Sequence, residues 1–160
     1  NMKLENFKNG YAVTNGSLLA VNEKNDCSVR ALANAFNVTY DVAHLFAATK
    51  LERKARKGLR GMFSKLDLLG EVSFELFSNT LFPETKTYKL EGSLDTTNPD
   101  YTHKKVQYTV KTFCSKFNKG TYIVIVNLHA LTVKDGIVID NPNYKFEGYR
   151  RIVESYFKVS

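Results

Sequence analysis

The chain has 160 residues, which is enough for one domain with a packed core and no disulfide staples. Hydrophobic residues make up 43% of the sequence, but no apolar run approaches the roughly 18 residues of a membrane span, so composition excludes a disordered or membrane-spanning protein. The formal net charge of +7 permits attraction to acidic partners and does not bear on the fold.

Cysteine usage indicates the compartment. Cys27 and Cys114 are too far apart in sequence to form a framework of bridges, and no basic-then-apolar secretory leader opens the chain. We therefore expect an intracellular, cytoplasmic protein in a reducing setting, with no membrane contact. Nothing in the pattern calls for a cofactor or a metal ion.

The sequence predicts a single α+β domain over residues 1–160. Residues 1–24 contain two Asn-Gly pairs, which mark turns, and are expected to form an irregular lead-in. Residues 25–118 are expected to be mainly helical, and residues 119–160 to form an antiparallel sheet on which the helical part packs.

A helix is predicted to begin at Cys27. Asn25 or Asp26 can cap it, and its apolar residues recur with helical spacing at Val29, Leu32, Ala33 and Phe36. A thiol in the first turn lies beside unpaired backbone N–H groups and the positive end of the helix dipole, which favour the thiolate. Cys27 is therefore a candidate nucleophile. The alternative is a buried structural cysteine, since free cysteine often behaves as a small hydrophobe.

A second helix is predicted from the N-cap Thr39 to about Lys50, with Val42, Leu45, Phe46 and Thr49 on its apolar face. His44 lies on this helix. A lone helical histidine is more often a partly exposed surface residue than a general base, so its catalytic role is the less favoured interpretation.

The densest basic run of the chain follows this helix. It contains Lys50, Arg53, Lys54, Arg56, Lys57 and Arg60. Such a run can bind phosphate or an acidic substrate, but a solvated helix end and loop is the favoured interpretation. No aromatic residue interleaves the charges, so nucleic acid is the less favoured partner.

The middle of the chain gives weaker signals. A short helix over 64–69 ending at Gly70 and a strand over 85–90 are predicted, followed by a loop over 96–100. Thr102 can then cap a helix whose apolar face carries Val106, Val110, Phe113, Cys114 and Phe117, with Cys114 in the core.

The period changes after Gly120. Residues 121–133 are apolar on both faces and are predicted to be one central strand. Asp135-Gly136 is a strong two-residue hairpin signal that returns the chain through 137–140. A closing strand is predicted within 150–159.

The hairpin fixes a register that places two polar residues together. If Lys134 pairs with Ile137, Leu131 faces Asp140, and His129 lies diagonal to Asp140 on the same face of the sheet. This is the base-and-orienter arrangement of nucleophilic catalysis. The pair can equally be structural, because buried polar groups need partners.

Cys at a helix start, His-Ala on a strand about a hundred residues later and Asp closing the next strand follow the chain order of papain-like cysteine peptidases. Asn-Asp-Cys27-Ser-Val-Arg-Ala-Leu-Ala resembles in particular small papain-like proteins encoded by tailed bacteriophages, related to bacteriocin-processing peptidases. The resemblance covers 25–36 and 120–142. It implies a papain-like fold in which Cys27 is the nucleophile, His129 the base and Asp140 the orienter. The hairpin register and the buried face of the Cys27 helix together predict that Cys27 Sγ lies within about 4 Å of a His129 ring nitrogen.

One feature departs from that family. Its members usually place a Gln a few residues before the nucleophile to bind the oxyanion, whereas the only Gln here is Gln107, expected inside a helix. Asn22 or Asn25 is the candidate substitute, and loss of one donor can cost a hundredfold or more in rate.

Two functions are therefore open. One is a thiol hydrolase or acyl-transferase acting on a peptide, isopeptide or other amide bond, with a protein such as a host protein as substrate. The other is an inactive papain-like binding module, such as a phage protein that blocks a host factor through a basic surface. The sequence does not define an oligomeric state.

Overall fold

The computed structural model describes residues 7–76, 81–94, 107–141 and 148–160, and its fold there is α+β. The α-helices are α1 (Leu18–Val21), α2 (Cys27–Phe36), α3 (Tyr40–Lys50), α4 (Met62–Leu69) and α5 (Val110–Lys116). The strands are β1 (Phe7–Asn9), β2 (Glu71–Leu76), β3 (Glu84–Leu94), β4 (Thr121–Val126), β5 (His129–Lys134), β6 (Ile137–Asp140) and β7 (Val153–Val159). No helix in these ranges is long and apolar enough to cross a membrane.

These seven strands form one sheet in the order β1-β6-β5-β4-β7-β3-β2. The β1–β6 pair is parallel, and the other neighbouring pairs are antiparallel. The last strand, β7, lies in the interior of the sheet between β3 and β4. The closing strand predicted within 150–159 is formed, and its residues Val153, Ser155, Phe157 and Val159 are buried.

A hydrophobic cluster lies on each face of the sheet, and successive residues of β4 point alternately into one cluster and the other. Ile123 belongs to the cluster formed with α2, α3 and α4, whereas Val124 belongs to the cluster formed with α5. Helix α2 is buried almost all round, and its polar residues Ser28 and Arg30 are buried as well. The helix that carries Cys27 is thus a central element of the core, which fixes its first turn in space.

The predicted division of the chain is wrong in two places. Strands β2 and β3 lie within 25–118 and join the sheet, so the sheet is not confined to 119–160. The lead-in is not irregular either, since β1, a 3₁₀ helix at Gly10–Thr14 and α1 are formed there. The predicted turn at Asn9-Gly10 is the point where β1, paired with β6, ends and the 3₁₀ helix begins.

The segment 121–133 is two strands and not one. Asn127 and Leu128 form a two-residue turn, so Val126 pairs with His129. The sequence did not indicate this turn because apolar residues lie on both sides of it. The turn also contains Leu128, whose φ of 58° is a left-handed conformation that is uncommon for leucine. The hairpin at 135–136 is confirmed, with Lys134 paired to Ile137.

Helix boundaries were predicted best where a residue typical of a helix cap is present. Thr39 accepts a hydrogen bond from Val42 N–H at the start of α3, and Gly70 ends α4 with φ 64°. The apolar face of α3 is predicted only in part. Phe46 is buried and Val42 packs against the core, but Leu45 is 64% exposed and Thr49 is exposed too. The buried residues of α3 are Tyr40, Ala43, Phe46 and Ala47.

Helix α5 is shorter than predicted. It begins at Val110 with Thr109 as its N-cap, so Gln107 precedes the helix. Its buried residues Val110, Phe113 and Cys114 confirm the predicted face. The proposed cap Thr102, Val106 and the loop over 96–100 lie outside the described residues.

Candidate active site

A cleft of about 510 Å³ opens at the N-terminal end of α2. Its walls come from the lead-in, the residues around Cys27, the basic run and the β4–β5 turn. The lining residues are Tyr11, Thr14, Ala20, Glu23, Lys24, Asn25, Asp26, Cys27, Arg30, Gly58, Leu128, His129 and Asn141. Two of the three predicted catalytic residues, Cys27 and His129, therefore share one cleft.

The first turn of α2 presents its backbone N–H groups without a side-chain cap. Asp26 occupies the N-cap position, but it makes no capping hydrogen bond, and the first helical bond runs from Arg30 N–H to Asp26 O. The expected role of Asp26 as a cap is thus wrong. Uncapped N–H groups at Cys27 favour negative charge at this helix end.

The Asp26 carboxylate instead belongs to a buried polar network. It accepts hydrogen bonds from the guanidinium of Arg30 and from the hydroxyl of Tyr40, the latter at 2.7 Å. The same guanidinium lies over the ring of Tyr11, 4.1 Å from its centroid, and Tyr11 accepts a hydrogen bond from Asn141 Nδ2 at 3.1 Å. These contacts fix the turn of helix that carries Cys27.

Helix α2 is tied directly to the strand that carries His129. Thr132 Oγ1 on β5 donates a 2.7 Å hydrogen bond to the backbone carbonyl of Ala31, and Thr132 is fully buried. The bond joins residues 101 positions apart in sequence. It holds the start of α2 beside the start of β5, where His129 lies.

His129 and Asp140 form the predicted pair. His129 Nε2 lies 2.8 and 2.9 Å from the two carboxylate oxygens of Asp140, and both residues are buried. Strand β1 holds Asp140 from the other side through its pairing with Asn9. Nε2 is thus the ring nitrogen that faces the carboxylate.

The side chains of Cys27 and His129 interact, and each shifts the pKa of its partner. Burial alone would raise the pKa of the Cys27 thiol, but the interaction with His129, the N–H of Ala130 and the charge of Arg30 lower it below its ordinary value. Burial alone would lower the pKa of His129, whereas Asp140 and Cys27 raise it to about 9. Both shifts favour a thiolate and imidazolium pair.

A second buried cluster holds the loop before Cys27. Glu23 accepts hydrogen bonds from His44 Nε2 at 2.7 Å, from Arg53 at 2.8 Å and from the backbone N–H of Arg56 at 2.7 Å. Arg53 also donates to the carbonyl of Lys24 at 3.2 Å. Burial opposes ionisation of Glu23, but these partners lower its pKa to about 2.

This cluster corrects two sequence predictions. Arg53 is only 5% exposed and does not belong to a basic surface, whereas Lys50, Lys54, Arg56, Lys57 and Arg60 are exposed. His44 binds Glu23 and is not the partner of Cys27. Sequence could not reveal either contact, because Glu23 is 21 residues from His44 and 30 from Arg53.

Neither predicted oxyanion donor is placed well for that role. Asn22 does not line the cleft. Asn25 does, but its side-chain amide donates to the carbonyl of Arg56 at 3.3 Å. Three further residues of the site, Tyr11, Arg30 and Asn141, were not predicted from the sequence. Only Arg30 had a sequence signal, because a residue three positions after Cys27 lies beside it on the same face of a helix.

The second cysteine, Cys114, lies in the core cluster under α5, and its burial raises its pKa to about 12. Within the described ranges, no group of three or more His, Cys, Asp or Glu residues is arranged to hold a metal ion. Comparisons with protein-family models, with curated proteins and with solved structures found no match to this chain.

Proposed function

We propose that the protein is a thiol hydrolase that cleaves a peptide, isopeptide or other amide bond through Cys27, His129 and Asp140. The observation that carries the proposal is that Cys27 and His129 interact across one open cleft while the His129 ring is hydrogen-bonded to the buried Asp140 carboxylate. A nucleophile, a base and a group that orients the base are the parts such a reaction needs.

The chemistry assigns a role to each residue. The Cys27 thiolate attacks the carbonyl carbon, and the His129 imidazolium gives its proton to the leaving amine as the C–N bond breaks. Water then attacks the thioester with His129 as general base, which releases the acid and restores the thiol. Asp140 keeps Nε2 protonated, so that Nδ1 faces the sulfur throughout.

The oxyanion is assigned to the backbone at the start of α2. The uncapped N–H groups of the first turn point out of the helix end beside Cys27, and the helix dipole adds positive potential there. This assignment needs no side-chain amide, so the absence of a Gln before Cys27 does not remove the site's ability to stabilise negative charge.

We further propose that this architecture is papain-like. The support is the order of the functional residues, with a nucleophile at the start of the central helix α2 and the base and orienter on the successive antiparallel strands β5 and β6. The same resemblance carries the proposal of a phage-encoded protein acting in a host cytoplasm on a host protein.

A second function, an inactive binding module of the same fold, is favoured by one observation. Both candidate side-chain amides are unsuited to the oxyanion role, since Asn25 is held by Arg56 and Asn22 lies outside the cleft. In that case the exposed basic residues would be the functional surface.

Thiol reactivity separates these functions, and the chain has its own control. Cys27 should react with iodoacetamide at neutral pH far faster than Cys114, whose raised pKa keeps it a thiol. A chromogenic acetate ester should then give a burst and an acetyl group on Cys27, detected by peptide mass spectrometry. Slow, equal labelling of both cysteines with no burst would leave the binding module as the function.

A further inference from the structure

The exposed basic run and the Cys27 site meet in the same cleft. Gly58 lines the cleft, and it lies within segment 54–60, whose residues other than Leu59 are exposed. Two hydrogen bonds attach this segment to the residues before Cys27, one from Arg56 N–H to Glu23 and one from Asn25 to the Arg56 carbonyl. The part of the basic run around Gly58 therefore lies at the edge of the cleft.

The two acidic residues that line the cleft, Glu23 and Asp26, are compensated internally. Glu23 is paired with Arg53, and Asp26 with Arg30, both inside the protein. Lys24 lines the cleft, and Lys54, Lys57 and Arg60 flank Gly58. Across the part of the chain that the structure describes, these four cations form no ion pair.

We infer that Lys24, Lys54, Lys57 and Arg60, called here the basic rim, recruit an acidic segment of a peptide substrate to Cys27. The inference rests on the proposed hydrolase function and names its substrate class. Several unpaired cations beside a cleft raise the local concentration of an anionic substrate and can speed its association by about 10- to 1000-fold at low salt.

A peptide fits the rim better than a single-stranded nucleic acid does. Nucleic-acid grooves combine positive charge with exposed aromatic faces on which bases stack. No aromatic residue interleaves the basic run, and Tyr11 of the cleft already has the Arg30 guanidinium over its ring at 4.1 Å. The rim thus offers charge without a stacking surface.

The test uses two peptidyl chloromethyl ketones that differ only by Glu in one and Gln in the other, two residues from the reactive group. In each, the Cys27 sulfur forms a C–S bond as chloride leaves. The acidic reagent should label Cys27 at least about tenfold faster at low salt. The difference should largely disappear at 1 M salt, where charges are screened beyond about 3 Å.

Two triple variants locate the effect. In the rim variant Lys54, Lys57 and Arg60 are each changed to Gln, and in the control Lys111, Lys116 and Lys119 of α5 and its C-terminal end are changed likewise. Each loses three exposed positive charges, and α5 packs on the opposite face of the sheet. The rim variant should lose the preference for the acidic reagent, the control should keep it, and both should keep the iodoacetamide rate of Cys27.

The outcomes separate this inference from the proposed function. Fast iodoacetamide labelling of Cys27 with equal rates for both ketones would overturn the inference and leave the hydrolase intact. Slow labelling by every reagent would overturn the hydrolase itself. Salt-sensitive binding of an oligothymidylate that the rim variant alone loses, without any preference between the ketones, would assign the rim to nucleic acid and also overturn the inference.

Discussion

Gly10 lies directly against the backbone of Asp140. A Cβ built at Gly10 would be 3.0 Å from the Cα of Asp140 and 3.1 Å from its nitrogen. The carbonyl of Gly10 also accepts a 3.2 Å hydrogen bond from Asn34 of α2. Gly10 is thus the point at which the lead-in, the helix of Cys27 and the strand of Asp140 meet.

Gly10→Ala should therefore disturb both stability and the site. The new methyl group would collide with main-chain atoms that cannot rotate away, at an expected cost of about 1–3 kcal/mol in the free energy of unfolding. Displacement of Asp140 should also slow alkylation of Cys27. Urea denaturation and iodoacetamide labelling measure the two effects.

Gly58→Ala is the matched control for this change. A Cβ at Gly58 meets no atom within 4 Å, and its φ is not in the left-handed region. Its stability should change by less than about 0.5 kcal/mol. Equal stability of the two variants would show that the lead-in can move away from Asp140.

Local signals in the sequence predicted the elements that local chemistry decides. Asp135-Gly136 fixed the β5–β6 register, and that register placed His129 beside Asp140. The Thr39 cap was equally local. These features depend on residues within a few positions of each other, where turn and capping preferences act directly.

The features that sequence missed depend on distant partners. Strand β1 pairs with β6 across about 130 residues, and a three-residue strand carries no period to detect. Arg53 is buried because Glu23 accepts its hydrogen bond. The sequence of the basic run does not show which of its residues has such a buried partner. The approach of Cys27 to His129 was expected from the hairpin register and the buried face of α2, but the hydrogen bond of Thr132 to Ala31 that joins the two elements has no sequence signature.

Arg53 and Lys54 should differ sharply in their effect on stability. Arg53→Ala leaves the buried carboxylate of Glu23 without its main cation and should lower the free energy of unfolding by about 3 kcal/mol. Lys54→Ala removes an exposed charge and should change it by less than about 0.5 kcal/mol. Urea denaturation of both variants measures this, and similar small values would mean that water and His44 replace the guanidinium.

The same cluster predicts an acid-sensitive part of the stability. The pKa of Glu23 is lowered to about 2, so its ionised form stabilises the folded chain at pH values above its unfolded value of about 4.5. That contribution should be lost as the pH falls from about 4.5 to 2. Glu23→Gln should lose stability at neutral pH and show a flatter acid limb in thermal melts. An unchanged acid limb would contradict the assignment.

Leu128→Asn should stabilise the protein. Leu128 has φ 58° and is 94% exposed, so it bears left-handed strain and gains almost no burial in return. Asparagine tolerates this conformation, and a gain of about 0.5–1 kcal/mol in the free energy of unfolding is expected. Leu81→Asn is the control, because Leu81 is 96% exposed without a positive φ. A loss of stability in Leu128→Asn alone would mean that the leucine side chain supports the turn.

Asp140→Asn should change the pH dependence of Cys27 rather than the fold. After burial, which opposes it, the hydrogen bond to Asp140 is the largest influence on the His129 pKa, and with it that pKa reaches about 9. Without the carboxylate the imidazolium loses its proton at lower pH, so the thiolate loses its cationic partner and the pKa of Cys27 rises.

The rate of Cys27 alkylation as a function of pH measures this change. The wild-type profile should titrate below the ordinary thiol value of about 8.5, and the Asp140→Asn profile should lie at higher pH. Below the midpoint, each unit of displacement lowers the rate about tenfold, because the thiolate fraction falls by that factor. Glu154→Gln removes one exposed carboxylate from β7 and should leave the profile unchanged. Superimposable profiles for Asp140→Asn and wild type would mean that the His129–Asp140 pair only satisfies buried polar groups, and that Cys27 owes its reactivity to the helix end alone.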